Sequence, residues 1–272
     1  MRQLGIAAHL FHDSHGSFPA SGWTQRGPGN PAGKYVGWRA LLLPFLEQRN
    51  LHDFYDFQQH WWEGANLVAA AVPVPIYRCP SSPQDLAVFT AIAKPPRPAI
   101  TFSNPVATTD YEAIQGVRPE SINPHLQRAI YDAGNRRSVM SRNSRTRMAD
   151  IRDGKTQTIM IIECGGRPQV YRQQRYRSEF SNDQGISWAD SEGAFSFDGA
   201  SHDGNREGCG PAGGCMVAIS ARNDNEPSSF HYSGAFAVFA DGRVSFIAQS
   251  VDIAVFAAAC TMNAGETEAG IW

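Results

Sequence analysis

The amino-acid sequence predicts an α+β domain in which an N-terminal helix packs on an antiparallel sheet, with long loop insertions between the regular elements. Three observations predict this fold class. Apolar residues recur at helical spacing over residues 2 to 14, residues 158 to 162 form a short apolar run, and an Asp-Gly pair separates two apolar runs within residues 235 to 247. The length of 272 residues fits one large domain or two small ones, and we predict a single domain over residues 1–272.

The first predicted element is a helix over residues 2 to 14. Leu4, Ala8 and Phe11 are separated by four and then three residues, so they form one apolar stripe. Gly16 and Pro19 follow the stripe and end the helix. Because the helix begins at the first residue without an N-cap, we expect an upstream segment that this chain lacks.

The next region predicts short helices. Residues 38 to 57 are apolar at mixed spacing, which is typical of one or two short helices, and residues 67 to 72 predict another helical piece. Trp61 and Trp62 lie between these pieces. Two adjacent side chains cannot both face inward on a regular helix, so we expect one of the two rings to be exposed.

Two long segments lack hydrophobic periodicity and are predicted to be loop excursions, namely residues 118–147 and 182–229. Between them, residues 158 to 162 read Thr-Ile-Met-Ile-Ile and are bounded by an Asp-Gly pair upstream. A short β-branched run of this kind predicts a strand that is buried on both faces.

The strongest local signal is a C-terminal hairpin over residues 235–247. Asp241-Gly242 separates two apolar runs, which predicts a two-residue type I′ turn. Both faces of the hairpin are apolar, so we expect it to be central in the sheet, and residues 251 to 259 predict a closing helix. Counting outward from the turn pairs Phe239 with Val244, Ala237 with Phe246 and Phe236 with Ile247.

Composition excludes several classes of function. Charged residues make up 18% of the chain and the formal net charge is −2, so there is no electrostatic footprint for nucleic acid. No run of about 18 apolar residues occurs, so we expect no membrane span in this chain. No signal peptide is recognisable either.

The five cysteines contain no Cys-x-x-Cys pair, which argues against a zinc ribbon or a thioredoxin-like motif. Cys209 and Cys215 flank a flexible Gly-Pro-Ala-Gly-Gly tether, so we predict a disulfide between them, with two reduced thiols as the alternative. The pattern leaves the state of Cys79, Cys164 and Cys260 open.

Several short motifs occur along the chain in a fixed order, between residue 3 and about residue 265. They are Leu4 to His9, His12-Asp13, Gly16 to Pro19, Gly37-Trp38-Arg39, Leu42 to Gln48, Tyr77 to Pro83, Thr109-Asp110-Tyr111, Asp150 to Gly154, Thr158-Ile159, Glu163, and His231 followed after nine residues by Asp241-Gly242. The ordered set resembles a planctomycete-type prepilin-like family that bears domain of unknown function 1559 and a C-terminal His, nine residues, Asp-Gly motif.

The resemblance implies a pseudopilin-like head, with residues 1–16 as the end of a pilin-type helix packed on the antiparallel sheet. It also implies an extracytoplasmic location, and other pilin-like subunits or a small surface ligand as partners. The family's usual chain begins with a prepilin cleavage site and a hydrophobic helix of about 20 residues, the length that a bilayer requires. That N-terminal membrane helix is absent from this sequence.

The histidines offer two candidate catalytic residues, His202 and His231. His231 and Asp241 are not expected to form a dyad, because ten residues of strand separate them by roughly 30 Å. No nucleophile elbow, phosphate-binding loop or dinucleotide fingerprint occurs.

The segment 182–229 is rich in acidic residues, glycine and serine, which is typical of a calcium-binding loop. Major pseudopilins as a class hold calcium in a C-terminal loop, so the resemblance points the same way. The alternative is a solvated acidic loop. The candidate ligands are Asp183, Asp190, Glu192, Asp198 and Asp203, with Asp190 and Asp198 preferred.

Two functions follow. The first is a pseudopilin-like structural or interaction protein of a surface or secretion assembly. The second is a calcium-dependent hydrolase of esters or lactones, such as acyl lactones, in which calcium polarises the carbonyl and a histidine or carboxylate activates water. The acidic loop beside His202 and His231 is the only support for the second function.

Overall fold

The computed structural model describes residues 1–83, 88–118, 131, 134–206 and 215–266. Within these ranges the α-helices are α1 (Arg2–His15), α2 (Trp38–Leu42), α3 (Arg49–Phe54), α4 (Gly64–Ala69) and α5 (Ile253–Ala259). The strands are β1 (Gly22–Trp23), β2 (Val36–Gly37), β3 (Val88–Ala91), β4 (Ile100–Val106), β5 (Tyr111–Val117), β6 (Ile159–Glu163), β7 (Tyr171–Arg172), β8 (Arg175–Tyr176), β9 (Phe195–Phe197), β10 (Gly234–Phe239) and β11 (Val244–Ala248).

The central sheet has five strands in the order β11-β10-β6-β5-β9. The first four pair antiparallel and β9 joins the far edge parallel to β5. The predicted α+β class and the hairpin of residues 235–247 are therefore confirmed. The hairpin is not central, however, because β11 is an edge strand and Phe246 is 41% exposed.

Two apolar layers cover the sheet. One contains α1, and there Leu4 and Ala8 pack in the same cluster as Val238 of β10. The other contains α5, where Phe256 packs with Phe239. Burial on both faces explains why β6 and β10 read as nearly continuous apolar runs.

The hairpin turn differs from the predicted type I′ turn. Gly242 has φ of 85°, but Asp241 is not among the residues with positive φ, and a type I′ turn requires positive φ at both central positions. Gly242 N donates to Phe239 O, and Phe239 N donates to Arg243 O, both at 2.9 Å. This is a three-residue loop with a glycine bulge, in which the αL residue is Gly242.

The longer loop shifts the register of the hairpin by one residue. The observed pairs are Ala235 with Ile247, Phe236 with Phe246, Ala237 with Ser245 and Val238 with Val244. The predicted pairs were wrong because the sequence count assumed only two residues in the turn.

Helix α1 lies close to this turn at Gly5. A Cβ atom added there would lie 2.9 Å from Val238 Cγ1 and 3.1 Å from Gly242 O, so a side chain cannot be added without a shift of one of them. The helix ends at Gly16, whose φ is 72° and whose N–H donates to His12 O. Helix α1, which the sequence predicted, therefore makes a close approach to the sheet at Gly5, where no side chain intervenes.

The two predicted loop excursions contribute to the core. Residues 182–229 include strand β9 and the fully buried Trp188, whose Nε1 donates to Val72 O at 3.0 Å. Of residues 118–147, those numbered 119–130, 132 and 133 lie outside the described residues, while Val139 and Met140 are fully buried. Low periodicity therefore did not mean exposure to solvent.

Trp61 and Trp62 also differ from the prediction that one ring is exposed. Both side chains are buried, and their rings form an edge-to-face pair with centroids 5.8 Å apart. The two residues lie in a turn that precedes α4, so the helical argument does not apply to them. No helix of the described ranges is long and apolar enough to cross a bilayer.

The close approach at Gly5 gives a stability prediction. Gly5→Val should lower the free energy of unfolding by about 1–3 kcal/mol, because the added atoms overlap Val238 and the Gly242 carbonyl. Leu10→Val, at a 45% exposed position of the same helix, is the matched control and should change stability far less. Urea denaturation of both variants measures the difference, and equal midpoints would contradict the packing described here.

Candidate functional site

Three side chains from distant parts of the chain converge at one end of the sheet. Cys79 follows a 3₁₀ turn at Pro75–Tyr77, Glu163 is the last residue of β6, and His231 precedes β10. Cys79 Sγ lies 3.4 Å from Glu163 Oε1 and 3.4 Å from His231 Nε2, and His231 Nε2 lies 3.2 Å from Glu163 Oε1. The three ligand-type atoms therefore form a closed triangle.

The backbone at Cys79 is held by the buried carboxylate of Asp110. Asp110 Oδ2 accepts from Cys79 N and from Arg78 Nε, both at 2.8 Å. Asp110 Oδ1 accepts from Gly166 N, also at 2.8 Å, and Asp110 O accepts from Cys164 N. One carboxylate thus ties the Cys79 segment to the chain that leaves β6.

Glu163 ends an apolar strand and is almost completely buried. Its Oε2 accepts from Phe236 N at 2.8 Å, so β10 fixes the orientation of the carboxylate and leaves Oε1 towards Cys79 and His231. Burial raises the pKa of Glu163, although the Phe236 N–H and the nearby His231 lower it in part.

His231 is held on three sides. Its backbone N–H donates to Ser229 Oγ at 3.0 Å, its ring meets the ring of Phe236 edge to face, and its Nδ1 lies 3.5 Å from Ser81 Oγ. The side chain keeps 27% of its surface exposed, so the cluster is accessible from this side.

Burial raises the pKa of the Cys79 thiol, and the neighbouring Glu163 carboxylate raises it further. Burial also lowers the pKa of the Met1 α-amino group, against the opposing effect of Glu163 and Cys79. With no cation present, the environment therefore favours a neutral thiol, which donates to Glu163.

Two cavities meet at His231. One, of about 370 Å³, is lined by Met1, Arg2, Cys79, Pro80, Tyr111, Glu163, His231, Phe236 and Val244. The other, of about 410 Å³, is lined on one side by His202 and on another by His231. The structure thus brings both predicted catalytic histidines to one cavity, although only His231 contacts the thiol and the carboxylate.

The preferred calcium ligands have protein partners. Asp190 is buried, and its two oxygens accept from Ile186 N at 3.1 Å and Glu192 N at 2.9 Å. Asp198 is buried and its Oδ2 lies 3.2 Å from Arg118 Nη1. Burial raises the pKa of Glu192, with the neighbouring Asp190 carboxylate adding to the effect.

The other two candidates lie nearer the surface. Asp183 forms an ion pair with Lys94 at 3.2 Å. Asp203 accepts from Asn205 N and Ser201 Oγ, and these hydrogen bonds lower the pKa of its carboxyl.

Within the described ranges, the one group of three His, Cys, Asp or Glu ligand atoms lying within 4.8 Å of one another is Cys79, Glu163 and His231. The five acidic candidates do not form such a group, so calcium binding by this loop stays a prediction. Cys215 is disulfide-bonded, while Cys209 lies outside the described residues. Cys79, Cys164 and Cys260 are not in disulfides.

Sequence reasoning found His231 as a candidate and missed the roles of Cys79, Asp110 and Glu163. All four lie in the short motifs on which the family resemblance rests. A usable signal was present at Glu163, because this carboxylate ends an apolar strand run, and a Glu that is buried needs a partner.

The model of one protein family, described as "Protein of unknown function (DUF1559)", matches residues 1–254. The matched range contains α1, all of the described strands and the three residues of the cluster, and it ends within α5. No curated protein and no solved structure matches the chain significantly.

The role of Asp110 gives a prediction. Asp110→Asn should lower the free energy of unfolding by about 3 kcal/mol, because the fully buried side chain loses its charge beside Arg78 and one of the two acceptor oxygens that bind Cys79 N and Gly166 N. The matched control is Asp53→Asn, which breaks an exposed ion pair with Arg49 and should leave the melting midpoint unchanged. Thermal denaturation compares the two, and a midpoint for Asp110→Asn equal to that of the control would disprove the role assigned to this carboxylate.

Proposed function

Because the chain belongs to the family described as "Protein of unknown function (DUF1559)", we propose that it is a pseudopilin-like structural or interaction protein of a surface or secretion assembly. The observation that carries the proposal is the environment of α1. Leu4 and Ala8 are fully buried, whereas Ile6 is 51% exposed and Leu10 is 45% exposed. A helix with one face on its own sheet and a second apolar face outside is suited to subunit contacts.

The exposed face borders a groove of about 610 Å³ between α1 and the hairpin turn. It is lined by Arg2, Ile6, His9, Leu10, Asp241, Gly242, Arg243 and Val244. The groove therefore lies between two of the motifs on which the family resemblance rests, the first helix and the Asp-Gly turn. We propose that a pilin-like subunit, such as a second copy of this chain, occupies it with its own first helix.

The prepilin-like part of the proposal is also supported by the motif of His231, nine further residues and Asp241-Gly242. His231 contacts Cys79 and Glu163, whereas Gly242 lies beneath α1. The nine-residue spacing spans β10, so the motif sets the position of the helix relative to the cluster.

Cross-linking tests the contact. Leu10→Cys in the purified chain should give covalent dimers with a short bis-maleimide, because the proposed contact brings neighbouring α1 helices close together. Val68→Cys is the matched control, since Val68 is a 57% exposed apolar residue on α4, away from the groove. Equal yields at the two positions, or none at position 10 at any concentration, would overturn the proposed contact.

A second candidate function is hydrolysis of esters or lactones, such as acyl lactones, with calcium bound by the acidic loop. The observation that favours it is the cavity of about 410 Å³ lined by both His202 and His231. Calcium would supply carbonyl polarisation, and the residues of this chain would supply a histidine base for water.

Turnover of short-chain esters and acyl lactones tests this candidate. We expect hydrolysis that chelator abolishes and calcium restores, and that His231→Ala lowers by about 10²–10⁴-fold, the usual contribution of a general base. His52→Ala, at a histidine of α3, is the control and should retain full activity. Rates equal to buffer alone would remove the hydrolase candidate and leave the structural role in place.

A further inference from the structure

We propose that Cys79, Glu163 and His231 form a binding site for one zinc-type divalent cation, with Sγ, Oε1 and Nε2 as its protein ligands. The site is separate from the acidic loop in which calcium is predicted. It requires neither the subunit contact nor hydrolytic activity.

Linear hydrogen bonds alone do not account for the triangle. Its three edges would need three protons, yet a ring nitrogen is either a donor or an acceptor and never both. In every combination of protonated and ionised groups, at most two of the three contacts can be linear hydrogen bonds. The third contact is then at best the bent arm of a shared hydrogen bond. A cation inside the triangle satisfies all three atoms together.

A nucleophile–base–carboxylate relay does not account for it either. In such a relay the two ring nitrogens have different partners, one facing the nucleophile and the other the carboxylate. Here Nε2 of His231 faces both Cys79 Sγ and Glu163 Oε1, while Nδ1 lies 3.5 Å from Ser81 Oγ. The convergence on a single ring nitrogen is the arrangement of ligands around an ion.

The distances fit tetrahedral coordination. Zinc bonds of about 2.3 Å to sulfur and about 2.0 Å to nitrogen and oxygen, at tetrahedral angles, place sulfur about 3.5 Å from the other two atoms and nitrogen about 3.3 Å from oxygen. The observed separations are 3.4, 3.4 and 3.2 Å. The side chains are therefore already spaced as ligands of one ion.

The ligand set selects the class of metal. Thiolate and imidazole suit zinc and its borderline neighbours, and a carboxylate completes a mixed set, whereas calcium takes oxygen ligands only. We therefore expect Zn²⁺ and Co²⁺ to bind here and Ca²⁺ not to compete for this site.

The surrounding contacts orient each ligand. Asp110 accepts from Cys79 N, Phe236 N donates to the second oxygen of Glu163, and Ser81 Oγ lies beside the second nitrogen of His231. Metal sites commonly hold their ligands by such outer hydrogen bonds. Three protein ligands leave a fourth position, and because all three residues line the cavity of about 370 Å³, that position is open to water or to a small ligand.

Metal titration of the purified full chain tests the proposal. Elemental analysis after dialysis should give one zinc per chain, and added Co²⁺ should produce a thiolate-to-cobalt charge-transfer band. Zinc should also raise the melting midpoint, since it binds only the folded arrangement.

Matched substitutions assign the ligands. Cys79→Ser, Glu163→Gln and His231→Gln should each weaken zinc binding by at least about 100-fold, because even outer-shell partners contribute 10–100-fold. Cys260→Ser, Glu179→Gln and His52→Gln change the same residue types elsewhere and should bind as the unsubstituted chain does. If a ligand variant does not fold, the presence or absence of the thiolate-to-cobalt band in the unsubstituted chain still tests the proposed site.

Three results would overturn the site. The first is equal zinc binding by Cys79→Ser and Cys260→Ser, and the second is cobalt binding without a thiolate band. The third is retention of fewer than about one zinc ion per ten chains by the unsubstituted protein, at a protein concentration of roughly 1 micromolar. Displacement of zinc by calcium would contradict the assignment of the metal class.

Discussion

The buried carboxylate of Asp110 is the interaction on which the arrangement at this end of the sheet depends. A carboxylate removed from water is unfavourable unless its oxygens are satisfied, and Asp110 satisfies them with Arg78, Cys79 N and Gly166 N. These donors come from two segments that are remote in sequence. Asp110 directly precedes β5, whose first residue pairs with Glu163 of β6, so the carboxylate fixes the Cys79 backbone relative to Glu163.

A second buried ion pair supports the same region. Arg39 and Glu112 are both fully buried, 2.7 Å apart, and Arg39 also donates to Tyr111 O. Tyr77 donates from its hydroxyl to Arg39 O at 2.7 Å. Loss of either charge would leave the other buried without a counterion. The two pairs, with Asp110 just before β5 and Glu112 on it, therefore hold the Cys79 segment and α2 against one strand.

The other end of the sheet is organised by close packing. Gly5 lets α1 approach Val238 and the Gly242 carbonyl, and Gly242 supplies the positive φ that the turn requires. Because β10 links this contact to His231, the position of the helix and the position of the cluster are coupled through one strand.

The sequence by itself determined α1, the strand at residues 159–163, the hairpin and the closing helix, because periodicity and an Asp-Gly pair report local backbone preferences. It did not determine the register of the hairpin, because the type of turn depends on the φ angle at Asp241. Nor did it determine the burial of Trp61, Trp62 and Trp188. The cluster was decided only by tertiary structure. Cys79 and His231 are 152 residues apart, and no local pattern records that Asp110 and the end of β6 bring them together around Glu163.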